Sequence, residues 1–259
     1  MTTATPDTSL ENIRREIDAI DDGLLELLVR RFAASTQVRA TKKTNGSLAL
    51  SPLRPAREAL MLRRLIATSE GRLPTQVLVH LWRVILSASS QAQAPIAIHV
   101  DSDVAASVLH RVNIAQHFCG MPIESHASIS ACLSAVDART GDLAAVALNS
   151  PWPDWFSQSR GAGVRIIGTL PIINDGQVPE LLVFGHAEAI ACGDDETIIL
   201  SREQLANATL RRRWQIRLDN WHVTSAAGFL TPGDIKGYGV DCLIAGRCPT
   251  SIEASVCLI

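Results

Sequence analysis

LENIRREIDAIDDGLLELLVRRFAASTQVRATKK, residues 10–43, is the stretch that decides the fold of the N-terminal part of the chain. Its apolar residues recur at intervals of three and four, the period of one helical face. They are Leu10, Ile13, Ile17, Ile20, Leu24, Leu27, Leu28, Phe32 and Val38. At ~1.5 Å per residue such a helix is roughly 50 Å long. Because one small domain cannot cover that length, we expect the helix to pack against a partner chain.

Two shorter helices follow. Asn45-Gly46 and two prolines in TNGSLALSPLRP predict a loop. PAREALMLRRLIATSE, residues 55–70, is typical of a second helix that has Pro55 in its first turn and Gly71 after its end. PTQVLVHLWRVILSASSQAQ, residues 74–93, predicts a third helix, which Pro95 ends. Residues 1–94 are therefore expected to form an all-α domain of three helices.

The hydrophobic period changes after Pro95. Five short apolar runs predict strands: PIAIHV, LAAVAL, VRIIGTL, ELLVFGH and ETIILS. Helical stretches at 102–118 and 127–138 lie between the early runs, which indicates an α/β domain with a mostly parallel sheet over residues 95–202. The tail, 203–259, is expected to be a small α+β element, for which a regulatory role is one alternative.

Composition and charge exclude several classes of protein. With 47% hydrophobic and 19% charged residues, the chain is an ordinary globular protein. Residues 1–94 hold four more basic than acidic residues, too small an excess for nucleic acid but suitable for a small anion. The sequence shows no signal peptide or membrane span, so a cytoplasmic protein is expected. Six cysteines without C-x-x-C spacing and seven histidines without a helical ligand pair predict neither a metal site nor a cofactor.

The spacing of three cations in the long helix indicates which of them can bind one ligand. Arg31 and Lys42 are eleven residues apart, which brings them within about 20° of one helical face and about 16 Å of each other. One ligand can therefore contact both. Arg14 lies seventeen residues before Arg31, about 25 Å away and rotated by about 100°, so it is expected to serve the site of a partner subunit. On spacing alone, a solvated helix face is the commoner meaning of such charges.

Further residues complete a recognisable pattern. Arg14 occurs in IRREID, Arg31 in LLELLVRR, Lys42 in RATKK, Arg57-Glu58 in PARE, and Ser89 and Gln93 in WRVILSASSQAQ. This conjunction resembles the all-helical class of chorismate mutases, which are small intertwined dimers with two shared sites. The resemblance covers residues 10–93. In one departure, Arg54 stands three residues before Arg57, where the family often has an Asp near the substrate hydroxyl.

The resemblance implies the rearrangement of chorismate to prephenate in phenylalanine and tyrosine biosynthesis, without metal or cofactor. It implies that Arg14 of one chain and Arg31 of the other bind the two carboxylates. Lys42 and Gln93 would donate hydrogen bonds to the ether oxygen. Glu58, beside Arg57, would accept the ring hydroxyl, and Ser89 would assist a carboxylate.

The resemblance extends weakly to the second part of the chain. Helical mutases are often fused to a prephenate dehydratase, a periplasmic-binding-like α/β fold, and residues 95–202 resemble a degenerate form of it. The dehydratase signature Asn-x-Thr-Arg-Phe is not present, since DETIILS has only Thr197 in common with it. Two alternatives stay open: an isochorismate pyruvate-lyase on the same helical scaffold, and a catalytically idle dimer whose α/β domain senses a ligand.

Overall fold

The structure, a computed structural model, describes residues 10–44, 53–159, 163–186, 188–205, 210–236 and 241–254. It divides into two compact units between residues 47 and 48. Helix α1, Leu10–Thr44, belongs to the first unit and runs for 35 residues without interruption. The long helix predicted from the apolar period is therefore confirmed.

The second unit begins with two helices. Helix α2 spans Pro55–Ser69 and α3 spans Thr75–Gln93, as the sequence predicts. Helix α2 ends where Glu70 and Gly71 take positive φ values of 51° and 75°, a common way to terminate a helix. Leu62 of α2 and Val79 of α3 are fully buried and pack with Ile252 near the C-terminus. Both helices therefore share a hydrophobic cluster with a C-terminal segment of the same unit.

The remaining elements form an α/β fold. The helices are α4 Ser102–Ala106, α5 Val108–His117, α6 Ile129–Ala138, α7 Trp152–Ser159 and α8 Pro232–Ile235. The strands are β1 Ile98–Asp101, β2 Ile123–His126, β3 Leu143–Ala147, β4 Arg165–Leu170, β5 Leu181–Gly185, β6 Asp195–Ser201, β7 Arg212–Leu218, β8 Trp221–Ala227 and β9 Cys242–Pro249. All five strands predicted in residues 95–202 are present. The single helix predicted at 102–118 is divided at Ser107, whose side chain caps α5 by accepting from the His110 N–H.

The described strands pair into one sheet in the order β2-β1-β3-β5-β4-β9-β6-β8-β7. The expectation of a mostly parallel sheet is wrong. Only β1 with β2, β1 with β3, and β4 with β9 are parallel among the described pairs, whereas the other five are antiparallel. Two of the antiparallel pairs, β4 with β5 and β7 with β8, join strands that are consecutive in the chain and have no crossover helix between them. For example, β7 and β8 are joined by a two-residue turn in which Asp219 has a φ of 48°, and such a turn can join only antiparallel strands.

The C-terminal strand β9 inserts between β4 and β6, so strands from both sides of residue 202 belong to one sheet. Gly246 of β9 pairs with Ile166 of β4. A Cβ at residue 246 would lie 2.1 Å from the carbonyl oxygen of Ile166, so this crossing requires a glycine.

The core lies on both faces of the sheet. Along β3, Ala144 and Val146 pack with Leu133 of α6 on one face. Leu143 and Ala145 pack on the other face with Val104 of α4 and Ile114 of α5. Because β3 is buried on both faces, its sequence is continuously apolar.

Candidate active site

Helix α1 carries the three predicted cations of the site. Arg14 is exposed and Arg31 is half-buried. The backbone of Lys42 belongs to the same helix, whereas its side chain lies outside the described part of the structure. The helix is uninterrupted from Arg31 to Lys42. Their Cα atoms are therefore about 16 Å apart and lie on nearly the same face of the helix.

The apolar side chains of α1 from Leu10 to Phe32 are exposed. Their exposed fractions range from 41% at Ile13 to 63% at Leu10. The others are Ile17, Ile20, Leu24, Leu25, Leu27, Leu28, Val29 and Phe32. Large exposed apolar surfaces are rare on soluble monomers.

The first turn of α2 carries Arg57 and Glu58. A carboxylate there is favoured by the positive end of the helix dipole. Arg57 is exposed, whereas Glu58 is half-buried. Its Oε2 accepts a hydrogen bond of 2.6 Å from Nη1 of Arg83 on α3. The structure thus joins Glu58 to a cation that is not among the predicted site residues.

Arg83 is one of the largest buried side chains and is only 2% exposed. Besides its bond to Glu58, its Nε donates to the carbonyl oxygen of His117 at 3.0 Å. The Ser87 hydroxyl donates to the same carbonyl at 3.2 Å. The position of Arg83 in the sequence indicates its role. It lies on the apolar face of α3 that includes Val79 and Leu86, and a charged residue there needs a buried partner.

The His117 ring lies beside this ion pair. Burial lowers the pKa of His117 well below its usual value, and the nearby charge of Arg83 lowers it further. Its Nδ1 has no hydrogen-bond partner among the described residues. The ring is therefore neutral at physiological pH.

The end of α3 carries Ser89 and Gln93. Ser89 is buried, and its hydroxyl donates to the carbonyl oxygen of Ile85 at 2.8 Å. The Gln93 amide donates to the Ser89 carbonyl oxygen at 3.3 Å. The two residues lie on one side of the last helical turn, as their spacing of four predicts.

Two other features of the described residues bear on function. His99, Glu124 and His126 form a group with the composition of a metal site. Separately, no helix within the described ranges combines the length and apolar character that a bilayer crossing requires.

Residues 13–94 match the family of chorismate mutase type II. This part of the chain is therefore a type II chorismate mutase domain, and it makes the protein an enzyme of the isomerase class. The resemblance of the helical part of the chain to chorismate mutases is confirmed.

Solved structures of other proteins match this chain over more than half of its length. GqqA, a novel type of quorum quenching acylase, is 16% identical, and the match covers 60% of this chain and 95% of that one with a TM-score of 0.42. A prephenate dehydratase from Streptococcus mutans is 10% identical, with 61% and 99% covered and a TM-score of 0.41. No curated protein matches the chain significantly.

Proposed function

We propose that the protein is a homodimeric, cytoplasmic chorismate mutase that supplies prephenate for phenylalanine and tyrosine biosynthesis. The observation that carries the proposal is the uninterrupted helix α1, on which Arg31 and Lys42 share a face. The chorismate mutase family of residues 13–94 supports the choice of substrate. Arg14, Arg31, Lys42, Arg57, Glu58, Ser89 and Gln93 are the proposed site residues.

The reaction explains why the site needs cations rather than a nucleophile. Conversion of chorismate to prephenate is a unimolecular Claisen rearrangement. The enzyme has to hold a flexible dicarboxylate in its compact conformation and stabilise negative charge that grows on the breaking ether oxygen. Arg14 and Arg31 suit the two carboxylates, because a guanidinium binds a carboxylate through two parallel hydrogen bonds.

Lys42 and Gln93 are the proposed donors to the ether oxygen. Lys42 supplies a full positive charge and the Gln93 amide a neutral hydrogen bond. The present bond of that amide to the Ser89 carbonyl, at 3.3 Å, is longer than usual, so little is lost when the amide donates to substrate instead. Glu58 would accept the ring hydroxyl beside Arg57, and Ser89 would assist a carboxylate.

A second copy of this chain is the proposed partner of α1. The exposed apolar side chains of α1 follow the period of a helix face, which another amphipathic helix can cover. Arg14 lies about 25 Å from Arg31 along the helix, too far for both to bind one small substrate within one chain. Antiparallel pairing of two α1 helices would bring Arg14 of one chain toward Arg31 of the other and complete two identical sites.

The test follows chorismate consumption and product identity with the purified protein. We expect prephenate. Lys42→Ala should lower kcat/KM by on the order of 10²-fold or more, because it removes charge stabilisation from the transition state. Lys43→Ala is the matched control: it removes the charge of the next residue, which the helical period puts about 100° further around the axis, and should leave the rate nearly unchanged.

Three results would contradict the proposal. Failure to consume chorismate would overturn the mutase activity. Release of pyruvate from isochorismate in place of prephenate formation would identify a lyase. Equal rates for Lys42→Ala and the unsubstituted protein would remove Lys42 from the site.

A further inference from the structure

A cluster of metal-ligand type lies at the edge of the sheet, in the second unit. His99 is on β1, and Glu124 and His126 are on the edge strand β2. The two strands are parallel, with His99 opposite Glu124. Because side chains two residues apart on a strand share a face, all three point to the same side of the sheet.

The potential ligand atoms are close together. Nδ1 of His99 lies 2.7 Å from Nε2 of His126 and 3.6 Å from Oε2 of Glu124. One ligand atom from each of the three residues lies within 4.8 Å of the others. His99 is 1% exposed, whereas His126 is half-buried and the Glu124 side chain is 48% exposed. The cluster thus combines one fixed ligand with two adjustable ones that face solvent.

Asp142 determines which nitrogen of His99 faces the cluster. Its Oδ2 lies 3.0 Å from Nε2 of His99, and its Oδ1 accepts from the Ala97 N–H at 3.0 Å. A carboxylate only accepts hydrogen bonds, so Nε2 of His99 carries the proton. In the neutral ring, Nδ1 then presents its lone pair toward Glu124 and His126. Histidine ligands of metals are typically held by such a carboxylate on the other ring nitrogen.

We propose that His99, Glu124 and His126 bind a divalent transition-metal ion, with Zn²⁺ as the representative, and that Asp142 is the positioning residue of the site. Two imidazoles and one carboxylate form a common ligand set for Zn²⁺ with an open fourth position. Imidazole also suits Cu, Fe and Ni ions, whereas Mg²⁺ and Ca²⁺ prefer oxygen ligands.

Small movements would bring the ligands to a metal. With Zn–N distances of ~2.0–2.1 Å, two nitrogens on a tetrahedral ion are about 3.3 Å apart. The His99 and His126 nitrogens are 2.7 Å apart, so they must separate by roughly 0.6 Å. Rotation of the half-buried His126 ring on the edge strand provides this without disturbing the core. In the metal-free protein, the same proximity allows the Nε2–H of His126 to donate a hydrogen bond to Nδ1 of His99.

The charge around the cluster favours a cation despite one opposing group. Arg139 lies 3.1 Å from Oδ2 of Asp142 and 3.9 Å from Oε1 of Glu124. With both histidines neutral, the two carboxylates and this guanidinium leave one net negative charge. The Arg139 side chain is 57% exposed, so it can move away from Glu124 when a metal binds.

Metal binding by the full chain, prepared without a histidine tag and stripped with a chelator, tests the proposal. Zn²⁺ is titrated against a chromophoric chelator, and Co²⁺ is followed by its visible absorption. We expect one ion per chain. Asp142→Asn should weaken Zn²⁺ binding about 10- to 100-fold, as loss of an outer-shell partner does. His126→Gln and Glu124→Gln, which each remove a ligand, should weaken it at least as much.

His222→Gln is the matched control, because it replaces a half-buried histidine on strand β8, away from the cluster. It should leave the affinity for Zn²⁺ unchanged. Circular dichroism checks that each variant is folded, which is expected for His126→Gln and Glu124→Gln on the edge strand β2. Absence of stoichiometric Zn²⁺ binding by the unsubstituted chain would overturn the proposal. Unchanged affinity in both His126→Gln and Glu124→Gln would also overturn it, since the ion would then be held by other residues.

Discussion

The guanidinium of Arg83 and the carboxylate of Glu58 form an ion pair of 2.6 Å, with 2% and 12% of the respective side chains exposed. The pair links α3 to the first turn of α2, and the Arg83 bond to the His117 carbonyl links α3 to α5. The mutase helices α2 and α3 are in this way fixed to the α/β fold. Glu58, which is proposed to accept the ring hydroxyl, thus has a structural partner.

Arg83→Met should destabilise the second unit. The substitution leaves the Glu58 carboxylate without its cation in a largely buried place, which typically lowers the free energy of unfolding by about 3 kcal/mol or more. Urea unfolding measures the effect by tryptophan fluorescence, since all five tryptophans follow residue 47. The double variant Arg83→Met, Glu58→Gln should be more stable than Arg83→Met alone, because no carboxylate is left unpaired.

Arg72→Met is the control for that experiment. Arg72 pairs with Glu70 at 3.7 Å, and both side chains are more than 70% exposed. Exposed pairs contribute little, so the free energy of unfolding should change by less than about 1 kcal/mol. Equal effects of Arg83→Met and Arg72→Met would show that the buried pair has no special role.

His117 should make the second unit less stable in acid. Burial, with a smaller effect of Arg83, lowers its pKa in the folded protein, whereas the unfolded chain has a value of about 6.5. Between those values the unfolded chain binds more protons, so the free energy of unfolding falls as pH decreases below about 6.5. The slope reaches at most about 1.4 kcal/mol per pH unit.

His117→Gln should reduce that loss, and urea unfolding at pH 7 and pH 5 measures it. His222→Gln, the half-buried histidine on β8, is the reference. The difference in unfolding free energy between the two pH values should be smaller in His117→Gln than in His222→Gln. Identical differences would mean that His117 titrates alike in the folded and unfolded chains.

The sequence predicted the elements with strong local patterns and missed those without them. The three mutase helices were predicted within one or two residues because their apolar periods are long and their ends have Gly or Pro. Strand β2 was missed because its residues are mostly exposed and include no apolar alternation. The insertion of β9 between β4 and β6 depends on pairing across the chain, which no local pattern encodes.

The same difference between local and long-range patterns applies to the candidate sites. Arg31 and Lys42 lie on one helix, so their spacing predicts that they share a helical face. Arg83 was missed because its role depends on Glu58, 25 residues earlier. The sequence did not predict the metal-type cluster, because it has no helical ligand spacing. Glu124 and His126 use the two-residue period of a strand, and His99 comes from another strand.

Mixing two inactive variants should restore activity if Arg14 serves the partner's site. In Arg14→Ala and in Arg31→Ala, both proposed sites of each homodimer lack one carboxylate ligand. A heterodimer of the two variants has one site with both substitutions and one site with neither. Random exchange at equal concentrations makes half of the dimers heterodimers, so about a quarter of all sites should be intact. Chorismate consumption after subunit exchange, compared with each variant alone, measures this recovery.

The matched control mixes Arg31→Ala with Lys42→Ala, two residues proposed to bind substrate from the same chain. Each site in that heterodimer lacks one of the two cations, so mixing should restore nothing. Size-exclusion chromatography should show dimers throughout. Recovery in the control mixture as well, or no recovery with Arg14→Ala and Arg31→Ala, would contradict the shared site. A fully active monomer would contradict it too, because a straight α1 holds Arg14 about 25 Å from Arg31.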